Sequence, residues 1–243
     1  MGLLFLILQV PVLYAFDAHD FNSWEFTPTN PLVETAKRAV RFLLPRIVGD
    51  DNQVAIKLGF SGIEDLASLK LGKLDVNSPF PVFRIQLDRL RKWQMQSPKP
   101  NPIGLLLEEP NFLRWSIPSP ARFLFPITNK GQVKSSVLIA MSSNDQFWKI
   151  RQFGSSSKIK QLIKHGHPPK YFVVEIPGLE RCYLGSITGN TFRIKHVVDE
   201  WVATSHGEQS TIKILEGTEE LAVGTFNRLK TETEETYYDK APR

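Results

Sequence analysis

Cysteine is almost missing: Cys182 is the single one in 243 residues. A lone thiol excludes an internal disulfide framework and any Cys-rich zinc or iron–sulfur centre. Long apolar runs are equally scarce. Only residues 2–16 (GLLFLILQVPVLYAF) form one, which excludes a multi-span helical membrane protein. Charge of one sign is not abundant either, since 30 Lys and Arg against 25 Asp and Glu leave a net +5. Neither a phosphate-cradling Gly-rich loop ending in Lys-Ser/Thr nor a dinucleotide Gly-x-Gly-x-x-Gly is present. The nearest approach to a serine nucleophile elbow, Phe153-Gly154-Ser155-Ser156-Ser157, lacks its second glycine. The paired acids Asp50-Asp51, Glu64-Asp65, Glu108-Glu109, Asp199-Glu200 and Glu219-Glu220 are sequence neighbours. Neighbouring side chains diverge on a helix or strand, so none reads as a glycosidase pair.

What is present is the composition of a folded chain, with 42% hydrophobic and 23% charged residues, outside the range of disordered or collagen-like sequences. The uncharged run 2–16 has the length of a signal-peptide core and falls short of the roughly 20 residues of a spanning helix. Leu13 and Ala15 occupy the −3 and −1 positions of a cleavage site after Ala15. Residues 1–15 are therefore read as a signal peptide or an uncleaved inner-membrane anchor. The lone cysteine and the lack of any Asn-x-Ser/Thr sequon place the expected location in a bacterial periplasm, or outside the cell.

Residues 16–97 read as a mixed helical and strand region. Asn30 caps a helix with Pro31 at its first position. Leu32, Ala36, Ala39, Val40 and Leu43 face inward, Lys37, Arg38 and Arg41 face outward, and Pro45 is the expected stop. A second helix is expected from Ser61, with Glu64 completing a capping box and Ile63, Leu66, Ala67 and Leu69 inward. Residues 79–87 (PFPVFRIQL) read as a strand whose prolines keep it at a strand start or sheet edge, and 87–93 as one or two helical turns. Residues 98–102 are a Pro-rich linker or a surface loop, followed by a short helix over 103–108.

From Arg122 the pattern turns to alternation. Strands are expected at 122–128, 132–141 and 146–153, with Asn129-Lys130-Gly131 as a hairpin turn and a basic helix over 157–164. Three more strands follow at 170–177, 181–187 and 191–197, then a helix over 218–230. The expected fold class is α+β: antiparallel meander sheets with packed helices, with two β-β-β-α units in a domain spanning 103–230. Residues 231–243 form a polar tail.

The strongest charge feature is the segment 149–170, with six Lys or Arg, two His and no acid. Arg151, Lys158, Lys160 and Lys164 are the candidate partner-binding basic face. No nucleic-acid motif accompanies them, so an envelope protein, a peptide or an anionic lipid is the expected partner. His165 and His167 lack a third ligand with local spacing, and neither a metal nor a cofactor is expected. Cys182 and His196 lie on neighbouring strands, but both phases point to the core, where a free thiol acts as a small hydrophobe. Trp24, Trp93 and Trp115 sit in weakly patterned stretches and are candidates to line a groove. The expected function is that of an exported non-catalytic binding protein. Its rivals are a hydrolase assembled from distant residues and, with 2–16 as a core element, a cytoplasmic nucleic-acid binder.

Overall fold

The computed structural model describes residues 30–106, 121–142, 147–154, 156–168, 170–189, 191–204, 207–214 and 220–230. The apolar run 2–16, the lead-in before Asn30, the tail 231–243, Trp24, Trp115, the pair Glu108-Glu109 and the expected helix start at Thr218-Glu219 lie outside them.

Asn30 starts the first helix as its sequence predicts. Its side-chain oxygen accepts from the Leu32 N–H at 2.9 Å, and Pro31 opens α1 (Pro31–Arg38), where no N–H is needed. Pro45 is not a stop. Ala39–Leu43 form a π-turn, and α2 (Leu44–Val48) continues with Pro45 in its first turn. The wider turn relieves the clash that a proline ring makes with a carbonyl of a straight α-helix. It also shifts the phase by one residue. Leu44 is buried in place of Leu43, which is 37% exposed, and Phe42 is turned out to 57%.

A short α3 (Asn52–Lys57) follows, capped by Asp51, whose carboxylate accepts from Gln53 N–H at 2.8 Å and from Val54 N–H. In α4 (Ile63–Lys70) the expected capping box does not form, because the helix begins after Gly62 and Glu64 pairs with Lys130 at 2.7 Å. Starting there puts Asp65 and Leu69 inward, while Ile63 is 88% exposed.

One mixed, mostly antiparallel sheet organises the rest, so the fold class is α+β. The strands are β1 (Asp75–Val76), β2 (Phe80–Arg84), β3 (Arg122–Asn129), β4 (Gln132–Met141), β5 (Trp148–Phe153), β6 (Tyr171–Ile176), β7 (Arg181–Thr188), β8 (Thr191–Thr204), β9 (Gly207–Ile214) and β10 (Glu220–Leu221). Their order is β10-β8-β7-β6-β2-β3-β4-β5, with β1 beside β3 and β9 beside β8. The segment 79–87 is not at an edge: β2 is central, antiparallel to β3 and parallel to β6. Its proline is tolerated because Phe80 and Pro81 pair with β3, and the ladder with β6 begins only at Val82. The last of the expected strands does not end at residue 197: β8 runs on to Thr204 and pairs with β9.

Three further helices are α5 (Leu87–Met95), α6 (Ser156–His165) and α7 (Ala222–Arg228). The last starts four residues later than expected, because Glu220 and Leu221 first pair with Ile194 and Arg193 as a short strand. Strand alternation sorts the core into layers. Phe123, Phe125, Ile127, Val137 and Ile139 meet α1–α4. On the same face, Phe83, Phe172, Val174, Tyr183, Phe192 and Ile194 meet α5 and α7. The opposite face presents Val82, Leu124, Val173 and Leu184 to Ile159 and Leu162 of α6. The first run is β-β-β-α as expected, whereas in the second β9 and β10 stand between β8 and α7, and the two helices lie on opposite faces of the sheet. Residues 98–102 connect α5 to the 3-10 turn Pro102–Leu105, both in one core cluster, and the Trp93 indole N–H donates to the Pro100 carbonyl at 3.0 Å.

Two glycine-dependent features fix the local geometry. Lys130 and Gly131 both have positive φ, 49° and 78°, which makes a two-residue type I′ hairpin. At Gly185 an added Cβ would lie 2.4 Å from the Phe172 ring, which packs edge-on against Phe83 at 5.2 Å.

Candidate functional site

The first polar constellation lies beneath the start of α6. Arg84, Glu175 and Cys182 are cross-strand neighbours on β2, β6 and β7, and alternation puts all three on the face that α6 covers. Lys158, on the first turn of α6, reaches Glu175 at 3.5 Å, and Arg84 Nε stands 3.7 Å from the same carboxylate. Burial pushes the Lys158 ammonium down, but its electrostatic and hydrogen-bond interactions with the Cys182 sulfur and the Glu175 carboxylate outweigh it, so its pKa is raised. Beside the row is a narrow cavity of about 50 Å³ lined by Ser136, Gln152, Lys158 and Glu175 among others. It has room for about three waters.

This changes the reading of the basic segment. Lys160, Lys164 and Arg151 are exposed, as a docking face requires. Lys158 is not on that face: its side chain is 20% exposed and turned to Glu175. Of the apolar residues whose helical spacing predicts an inward face, Ile159 and Leu162 are fully buried and Ile163 partly so, yet a long lysine one residue before Ile159 still bends under the helix to a carboxylate.

The Cys-His pairing is ruled out by register. Cys182 pairs with Val197, whereas His196 pairs with Tyr183 and stacks near its ring at 5.0 Å. Cys182 packs on the α6 side and Tyr183 on the α5–α7 side, so the thiol and imidazole lie on opposite faces. Cys182 is half-buried and in polar contact with Lys158, which is more than a small hydrophobe would make. His165 ends α6 and His167 is exposed beyond it. Trp93 lines no groove, being 4% exposed and packed edge-on to Phe226.

A second surface, unread in the sequence, lies across the sheet from α6. Phe42 stands between two open depressions. One, about 450 Å³, is lined by Arg38, Leu43, Arg46, Trp148 and Ile150 among others. The second, about 570 Å³, is lined by Arg41, Lys70, Leu71 and Lys73, with Asp75 as its one carboxylate. Leu71 is 65% exposed and Ile47 49%. Lys70 is paired with Asp50 at 3.0 Å; Arg38, Arg41, Arg46 and Lys73 have no ion pair among the described residues. The π-turn creates this surface by turning Phe42 and Leu43 outward between the arginines. Arg38 and Arg41 were legible as outward-facing. Phe42 and Leu43 were not, because regular helical spacing carries Leu43 into the core.

Comparison of the chain with protein-family models, curated proteins and solved structures gave no significant match.

Proposed function

We propose that the chain is an exported, non-catalytic binding protein of the cell envelope, and that its partner docks on the surface around Phe42. The observation that carries this reading is the exposed phenyl ring among four cations that have no ion pair among the described residues, flanked by two open depressions. A folded chain has no need to keep such a ring in water, and aromatic residues with arginine are the pairing enriched at interaction sites. The apolar, uncharged run 2–16 supports export.

The test is photo-crosslinking in the producing cell, with a photoreactive residue at position 42 and, as the comparison, at Lys164 on the opposite face. Adducts to another envelope macromolecule or to lipid are expected from position 42 and not from 164. Adducts from neither position, in protein that is folded and present, would overturn the reading.

A further inference from the structure

We infer that the Phe42 surface binds an anionic lipid bilayer, which rests on the binding reading above and names its partner. Three observations choose lipid over an acidic protein. The apolar side chains Phe42, Leu43, Ile47 and Leu71 protrude, at 37–65% exposed. Exposed apolar side chains on a basic surface insert between lipid headgroups. The cations Arg38, Arg41, Arg46 and Lys73 surround them with almost no opposing charge, which suits a negatively charged plane. With the run as an uncleaved anchor, the chain also brings the surface to a membrane. The apolar run ends at residue 16 and α1 opens at Pro31. The fourteen residues 17–30 span at most about 50 Å fully extended, so a bilayer holding the run lies within reach of Phe42. A short apolar segment anchors weakly alone, and a basic patch supplies the second attachment that makes anchoring stable.

The experiment is sedimentation of the full chain with vesicles of phosphatidylcholine alone or containing 30% phosphatidylglycerol. Wild type is compared with Phe42→Ser and with the triple variant Arg38→Gln, Arg41→Gln, Arg46→Gln, each checked for an unchanged melting curve. Each cation near an anionic surface contributes about fivefold in partitioning. The triple variant is therefore expected to lose between about ten- and a hundredfold on anionic vesicles and nothing on neutral ones, and 0.5 M salt should erase the difference. Phe42→Ser is expected to lose binding in both salt conditions. Equal partitioning of wild type and triple variant on anionic vesicles would overturn the lipid assignment. If position 42 then still crosslinks to a protein, the binding reading stands and only the lipid is wrong. If it crosslinks to nothing, both fall.

Discussion

Asp65 shows how far a single polar residue can redirect a helix. It is 5% exposed on α4, accepts from Asn129 Nδ2 at 2.8 Å and pairs with Lys134 at 3.1 Å. These bonds clip the helix to the β3–β4 hairpin. Burial pushes its carboxyl up, but the hydrogen bonds from Asn129 and Lys134 and the Lys134 charge outweigh that and hold it below the usual aspartate value. The unfolded chain therefore takes up the proton at higher pH than the folded one. Stability from this group is present in full above about pH 4 and is lost as pH falls through the lowered folded value. Asp65→Asn is expected to cost about 1 kcal/mol at pH 7 and to flatten the decline between pH 5 and pH 2, as read from urea midpoints across that range. An equally steep decline in the variant would place the acid sensitivity elsewhere. None of this was legible, because a helical pattern scores Ile63 as the inward residue. Only the hairpin, some 65 residues on, supplies the amide and ammonium that make an inward Asp65 favourable.

At the scale of elements, the hairpin turn at Asn129-Lys130-Gly131, the six strands from 122 to 197 and the helix over 157–164 were legible. Their alternation, turns and apolar spacing are local signals that the tertiary structure agrees with. The π-turn, the central place of β2 and the β8–β9 return were not, since each depends on a partner far along the chain. The basic helix α6 separates the two kinds of information. Its period gives Ile159 and Leu162 correctly and cannot show that Lys158 meets Glu175 from another strand. Lys160→Gln and Lys164→Gln are expected to leave stability within about 0.5 kcal/mol each. Lys158→Gln should cost about 1–3 kcal/mol, because it leaves the half-buried Glu175 with Arg84 as its remaining counter-ion. Chemical denaturation of the three single variants measures this directly. Equal costs at all three positions would mean that the Lys158–Glu175 pair contributes nothing beyond an exposed charge.

At the scale of the molecule, the sheet is one structure with contributions from both ends of the chain. The segment before residue 98 supplies β2, between β3 and β6, and the segment after it supplies every other strand except β1. A fragment of residues 98–230 would leave β3 and β6 with unpaired inner edges and strip the helices from Phe123 and Phe125. It is expected to lack a cooperative thermal transition by circular dichroism. A sharp melt in that fragment would show that the C-terminal portion is a domain in its own right. The α+β class and the meanders could be read in advance; the joining of the two meanders through β2 could not, because parallel pairing carries no local turn signal.

The position of β2 also sets a clock. Val82 pairs with Val173, about ninety residues further along the chain, and a ribosome adds roughly 5–20 residues per second. The central strand is therefore made about 5–20 s before its parallel neighbour exists, and for that interval the growing chain carries a bare strand edge. Such an edge is a template for wrong pairing, so this protein is one whose folding gains from being held back until synthesis is complete.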